Sequence, residues 1–224
     1  MKVLVTAGPT YEPLDRVRRL TNFSTGGLGT RLANWLTAQG HEVTLLLGEQ
    51  ATWAGERRVA REERFGTTAD LAARLQRLGA EGFAGVFHAA AVSDFTFGRR
   101  FRRDATGRLE ELLTDADRAG HGKLPSREAG WLVELVATPK LIAELRRWFP
   151  VAHVVGWKYE VDGTRPDAIA RAERQLRECR TDACVANGPA YGEGFGLVAA
   201  GRPVIHLADE AELFPALAGM IGAR

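Results

Sequence analysis

Apolar positions recur along the chain in two alternating rhythms. Residues 2–6 (KVLVT) form a short continuous apolar run, the pattern of a strand buried on both faces. Leu28, Leu32, Trp35 and Leu36 then fall at i, i+4, i+7 and i+8, which predicts a helix ending near Gly40. The next strand is predicted over residues 42–47 (EVTLLL). A helix over 68–78 follows, with Leu71, Leu75 and Leu78 on one face and Thr67 or Thr68 as its cap. Residues 85–92 (GVFHAAAV) read as a third strand. A helix over 139–149 is predicted with Pro139 in its first turn. Strands at 153–158 and 181–187 flank an arginine-rich helix at 166–179. A short strand at 204–207 and a helix at 209–221 close the pattern.

Strand–helix alternation of this kind predicts an α/β fold, one domain over residues 1–224, with a mostly parallel sheet covered by helices on both faces. Ligands of such sheets bind beyond the C-terminal ends of the strands, so the residues after Thr6, Ala91, Val155 and Val185 are the first candidates for a site. Residues 97–130 break the rhythm. They are poor in large apolar residues and rich in charge and glycine, which predicts a long connection acting as a flap over the site and as a dimer-forming arm.

Charge changes this picture little. The chain has 224 residues, 30 basic against 28 acidic, for a net charge of +2. That balance gives no global drive toward nucleic acid or an anionic membrane. No charged-then-apolar leader precedes the first strand and no apolar run approaches ~18 residues, so a cytoplasmic protein is expected. Cys179 and Cys184 lack metal-site spacing and read as reduced, partly buried thiols.

The candidate chemistry gathers in residues 6–29, TAGPTYEPLDRVRRLTNFSTGGLG. Gly8-Pro9-Thr10 follows directly on the first strand, where the backbone turns and aims its amides at an anion. Ser24-Thr25-Gly26-Gly27-Leu28-Gly29 opens the first helix, whose N-terminus favours phosphate. Arg16, Arg18 and Arg19 lie between, able to reach a carboxylate or phosphate, with Asn22 as an amide donor. A dinucleotide site fits less well, because ~20 residues separate the glycines from the strand. The second constellation is His88-Ala89-Ala90-Ala91-Val92-Ser93-Asp94. Its alanines let a flat base or ribose lie against backbone and its aspartate accepts hydrogen bonds from hydroxyls or amines; packing alanines and a capping aspartate are the alternative. His88 alone reads as a satisfied core histidine. Gly156-Trp157-Lys158 sets a ring and a cation at a strand end, for a base and a phosphate or simply to cover the core.

These residues resemble the phosphopantothenate–cysteine ligase family. The opening block carries the resemblance, and HAAAVSDF, Lys123 in the flap, ATPKLI, VGWK and VAN continue it in order through nearly the whole chain. The resemblance implies a Rossmann-like homodimer with a dimerising flap, and it looks more like the single-function bacterial ligases, with no flavin. It implies that 4′-phosphopantothenate attacks the α-phosphate of CTP or ATP, brought in with Mg²⁺ held by phosphates and water. Cysteine then displaces the nucleotide from the acyl-nucleotide. It assigns Asn22, Arg18 and Lys123 to catalysis. Gly8, Ser24, Thr25, Gly26, Ala89, Ala90, Ala91, Asp94, Pro139, Lys140, Leu141, Ile142, Trp157 and Lys158 are assigned to the nucleotide. Gln175 and Cys179 stand where relatives carry two triphosphate lysines, with Arg174, Arg177 or Lys158 as substitutes. An NAD(P)-dependent reductase and a non-catalytic nucleotide-binding relative are the competing readings.

Overall fold

The computed structural model describes residues 1–111, 124 and 130–221. Its elements, in chain order, are β1 (Lys2–Ala7), β2 (Tyr11–Pro13), β3 (Arg19–Thr21), α1 (Gly27–Ala38), β4 (Glu42–Gly48), β5 (Arg61–Phe65), α2 (Thr68–Leu78), β6 (Gly85–His88), β7 (Phe95–Arg103), β8 (Leu109–Glu111), β9 (Trp131–Ala137), α3 (Leu141–Trp148), β10 (His153–Tyr159), α4 (Arg165–Cys179), β11 (Ala183–Asn187), β12 (Phe195–Ala199), β13 (Ile205–Leu207) and α5 (Glu210–Gly219).

Among the described residues the main sheet has eight strands in the order β13-β12-β11-β10-β6-β1-β4-β5. Strands β5, β4, β1, β6, β10 and β11 are parallel; β12 runs antiparallel to β11, and β13 antiparallel to β12. The sheet is covered on both faces. Val3, Val5, Val43, Leu45 and Val155 pack under Leu32 and Leu36 of α1 and Leu213 and Leu217 of α5. The alternate residues Leu4, Leu46, Val86 and Val154 pack under Leu71 and Leu75 of α2 and Leu141 and Leu145 of α3. Ala168, Ala172 and Leu176 of α4 cover Cys184 and Ala186 beside them. Strands buried on both faces explain why the sequence shows continuous apolar runs rather than alternation.

The connection from β1 through α1 to β4 moves one way along the sheet, and β6 lies on the other side of β1. The strand order therefore reverses between β1 and β6, which opens a crevice at their C-terminal ends.

Three expectations are corrected. The strand predicted over 85–92 stops at His88, because both neighbours, β1 and β10, end their pairing with it there. The helix predicted from Pro139 starts at Leu141, since Thr138 is held extended by hydrogen bonds to Asp94 O (3.0 Å) and Ser93 O (2.5 Å). The connection expected over 97–130 carries strands at its start. Its described residues enter a second, three-stranded antiparallel sheet, β8-β7-β9, which begins at Phe95 and ends at Ala137. A register shift between Phe97 and Arg100 interrupts the alternation of β7, so neither strand period is visible in the sequence. The loop 6–29 also contains a small hairpin, β2–β3.

Candidate active site

The crevice at the strand reversal is a cleft of about 700 Å³. One wall is the start of α1. Gly8 and Gly26 both take the left-handed conformation, with φ of 80° and 77°, and a Cβ on Gly26 would stand 3.2 Å from Gly8 Cα. The two turns are thus pressed together, backbone on backbone. The N-cap residue of α1, Gly26, makes no side-chain cap and the first turn carries no acidic residue; Thr25 Oγ1 accepts from Gly27 N at 3.2 Å, and the amides beyond it have no side-chain cap. Such a helix start leaves amides and a partial positive charge available to an anion.

The floor is the alanine loop after β6. It follows β1 around its turn: Ala89 N donates to Thr6 O (3.1 Å), Ala90 N to Thr6 Oγ1 (3.2 Å) and Ala91 N to Gly8 O (3.0 Å). Ala91 O accepts from Thr10 N and from Asn22 Nδ2, each at 3.1 Å. Asn22 is therefore tethered across the cleft to the alanine loop. Thr10, wholly buried, accepts from Ser93 N through Oγ1 (2.8 Å). Beneath the floor, buried His88 shares a 2.8 Å hydrogen bond between Nδ1 and Thr6 Oγ1. Burial lowers its pKa to about 4, so it stays neutral at ordinary pH.

The opposite wall holds Pro139, Lys140, Leu141, Ile142, Trp157, Lys158, Gln175 and Asn187. Lys140 pairs with Asp94 across the mouth, both well exposed. Lys158 pairs with Glu160 at 3.1 Å. Trp157 Nε1 and Asn187 Oδ1 are buried and have no hydrogen-bond partner among the described residues. Gln175 Nε2 donates to Trp157 O at 3.2 Å.

The cleft thus brings together Asn22, Ser24, Thr25, Gly26, Ala89, Ala90, Ala91, Asp94, Pro139, Lys140, Leu141, Ile142, Trp157 and Lys158. Gly8 does not line it but supports it from behind. Arg18 is not among the lining residues; it pairs with the chain's own Asp15, at 2.5 Å. Arg19 lies over the Tyr11 ring instead, 5.1 Å from its centroid. Arg174 and Arg177 do not line the cleft, and Lys123 lies outside the described residues. Phe23 and Tyr159 line it without having been singled out. Phe23 is fully exposed, and nothing in the apolar pattern distinguishes it from a core position.

Residues 1–106 match the family model described as the DNA/pantothenate metabolism flavoprotein C-terminal domain, DFP. The match covers just under half of the chain. A cysteine/cysteine sulfinic acid decarboxylase from an unknown prokaryotic organism is 30% identical over 87% of this chain and 48% of its own length. The coenzyme A biosynthesis bifunctional protein CoaBC of Thermococcus kodakarensis is 29% identical over 83% of this chain and 41% of its own. The chain spans about half the length, or less, of these curated relatives. The crystal structure of the DNA/pantothenate metabolism flavoprotein from Streptococcus pneumoniae superposes with a TM-score of 0.80 at 26% identity, covering 100% of this chain and 99% of that one. The resemblance read from residues 6–29 is borne out by these matches.

The cleft gives no support to a dinucleotide site. The acid past β4, Glu49, does not line the cleft; it accepts a 3.2 Å hydrogen bond from the Tyr11 hydroxyl. Among the described residues no three His, Cys, Asp or Glu side chains gather where they could hold a metal ion. None of the described helices is long and apolar enough to cross a membrane. Cys179 and Cys184 are buried and unpaired, and burial raises the Cys184 thiol to about 12, far from a reactive thiolate.

Proposed function

We propose that this chain is a nucleotide-dependent acid–amine ligase that joins 4′-phosphopantothenate to cysteine in coenzyme A biosynthesis. The observation that carries the reading is the cleft itself. A glycine-rich helix start with no acidic residue in its first turn faces a floor of alanine backbone, with one carboxamide, Asn22, tethered between them.

In this reading CTP or ATP lies along the cleft, its base and ribose on Ala89, Ala90 and Ala91 and its phosphates toward Ser24, Thr25, Gly26, Lys140 and Lys158. The unpaired Trp157 Nε1 and Asn187 Oδ1 fit a base edge offering one acceptor and one donor. Asp94 exchanges Lys140 for the ribose hydroxyls. A carboxylate oxygen of phosphopantothenate attacks the α-phosphorus and pyrophosphate leaves. The amine nitrogen of cysteine then attacks the acyl carbon, loses its proton, and the nucleoside monophosphate departs. Asn22 Nδ2 donates to the acyl oxygen as charge builds on it. Lys123 serves the first step. Mg²⁺ arrives with the triphosphate, held by phosphate oxygens and water, since the described residues supply no cluster of ligands for it.

A homodimer goes with the reading. The partly exposed apolar residues Leu132, Leu135 and Val136 of β9 support a partner surface on the second sheet. A cytoplasmic setting completes it.

The test is to supply phosphopantothenate, cysteine, Mg²⁺ and either CTP or ATP, and to follow pyrophosphate and amide separately. Both products are expected with at least one nucleotide; no pyrophosphate with either abandons the reading. Asn22→Asp sets a carboxylate against Ala91 O. It is expected to cut amide formation about 100-fold while pyrophosphate release continues, the scale of losing an oxyanion donor. Equal loss of both products removes Asn22 from this role.

A further inference from the structure

Asp15 is an acid buried where a loop carries charge. Its side chain is fully inaccessible, while that of Arg18 is 42% exposed. Five donors converge on the one carboxylate. Oδ1 accepts from Val17 N at 2.8 Å and Arg18 N at 2.7 Å. Oδ2 accepts from Arg18 Nε at 2.9 Å, Arg18 Nη2 at 2.5 Å and Leu124 N at 3.1 Å. Arg18 Nη2 also donates to Leu124 O at 2.8 Å. Leu124 is therefore held by both its backbone groups, the amide on Asp15 and the carbonyl on Arg18, across more than 100 positions of sequence. Its side chain is buried as well.

The rest of the hairpin points the same way. Arg100 Nη2 of β7 donates to Leu14 O at 2.7 Å. Thr96 Oγ1 donates to Glu12 Oε2 at 3.1 Å, while Glu12 Oε1 accepts from Thr68 N at 3.0 Å. The hairpin thus ties the second sheet to the rim of the cleft, beside the chain's own connections at Asp94 and Thr138. Asn22, which lines the cleft, follows β3 directly. Burial alone pushes the Asp15 carboxyl up, but the Arg18 guanidinium and the backbone amides of Val17, Leu124 and Arg18 outweigh it and hold it well below the usual carboxylate range. The carboxylate is ionised at any pH where the protein works.

We propose that Asp15 is a positioning residue: without touching substrate, it fixes the Arg18 side chain and the backbone of Leu124 together against the cleft rim, and so sets the geometry of the reacting groups rather than the affinity for nucleotide. Leu124 directly follows Lys123 in the chain. The contribution of Arg18 runs through this clasp and not through contact with the acyl group. The inference rests on the ligase reading for its kinetic half only; the clasp itself is testable without it.

The experiment is Asp15→Asn, which keeps the shape and removes the charge, measured by amide hydrogen exchange and by steady-state kinetics. Exchange at Leu124 is expected to accelerate about 10- to 100-fold, the scale of a lost charge-assisted hydrogen bond, with the amides of β1 and β4 unchanged. The kcat for the ligated product is expected to fall by about tenfold or more while the nucleotide KM stays within about twofold. The double variant Asp15→Asn/Arg18→Gln is expected to be no slower than either single one, because the two residues act as one unit. Unchanged exchange at Leu124 overturns the clasp. Accelerated exchange with unchanged kcat, or a rise in KM that accounts for the whole loss, overturns the positioning role. If Asp15→Asn does not fold, Arg18→Gln carries the same measurements, since it leaves the buried acid its three backbone donors. If the wild type makes no pyrophosphate with CTP or ATP, the ligase reading fails, and the exchange result still decides the clasp.

Discussion

Residues 6–10 and 24–29 are held against the parallel sheet by main chain and small side chains, whereas residues 11–21 between them are held by charged side chains, largely against the second sheet. In the first arm Gly8, Gly26 and the alanines after β6 meet backbone to backbone, and the side chains involved, Thr6 and Thr10, are buried. In the second arm Glu12, Asp15, Arg18 and Arg100 make the contacts. The first arm gains its position from the same packing that folds the domain. The second gains it from ion pairs and hydrogen bonds laid over a finished core. Substitutions in the first are therefore expected to cost more stability than substitutions in the second.

The largest effect is expected at Gly29. A Cβ there would stand 2.7 Å from Ala7 Cβ and 3.2 Å from Thr6 O, so α1 rests on β1 with no room for a side chain. Gly29→Val forces helix and strand apart, at a cost of about 3 kcal/mol or more, a large share of ordinary domain stability. A urea midpoint within error of wild type breaks the claim that this arm is positioned by packing.

Acid is expected to separate the two arms. His88 in the folded chain has its pKa depressed to about 4 by burial, below the ordinary value near 6.5. Above pH 6.5 it is neutral folded or unfolded and contributes nothing. As pH falls from 6.5 to 4 the unfolded chain takes up a proton that the folded chain refuses, and stability falls by roughly 3 kcal/mol. The loss is felt at Thr6 Oγ1, which binds both His88 and the alanine loop. Asp15 behaves oppositely. Its depressed pKa means that its contribution is full above the unfolded value near 3.9 and is lost only as pH falls further toward the folded one. Urea unfolding of wild type and His88→Asn at pH 7 and pH 4.5 tests this: the variant is expected to lose markedly less stability on acidification. Equal losses exclude His88 as the acid-sensitive group.

The same contrast decides what was legible in the sequence. β1, β4 and α1 could be read because burial on two faces, or along one stripe, leaves a periodic apolar record. The alanine loop and Asn22 could be read because they follow strand and helix ends by position. β7 and β9 could not: arginines stand in adjacent pairs in β7, at Arg99 and Arg100 and at Arg102 and Arg103, and a register shift at Phe97 to Arg100 breaks its period. Trp131–Ala137 is apolar enough to be a strand, yet it follows a segment with no pattern, and no element is predicted for it. Asp15 left no signal at all. Its farthest partner, Leu124, is a backbone group 109 residues away, and backbone groups are the same in every residue. Arg18 was noticed for its charge, and the carboxylate it was expected to reach proved to be internal.

Glu12 offers a smaller perturbation on the second arm. Glu12→Gln keeps one acceptor but turns an amide donor toward Thr68 N or the Thr96 hydroxyl. A loss of about 1–2 kcal/mol in global stability is expected, the scale of an unmade hydrogen bond at a buried group, with β7 losing protection before β1 does. Simultaneous loss of protection in both strands by hydrogen exchange removes the distinction between the arms.

Lys140 supplies the smallest effect on stability and the clearest test of what the first arm does alone. Its pair with Asp94 is exposed on both sides, so Lys140→Ala is expected to change stability by less than about 0.5 kcal/mol. If the helix start and the alanine backbone hold the triphosphate and Lys140 only supplements them, the nucleotide KM rises about five- to tenfold with kcat little changed, and the difference from wild type shrinks as salt is added. A KM that stays at the wild-type value assigns the phosphates wholly to backbone amides, and the contrast between a packed arm and a charged arm then extends across the entire cleft. A collapse of kcat instead brings a cation into the packed arm's task, and the division of labour drawn along residues 6–29 has to be redrawn at Lys140.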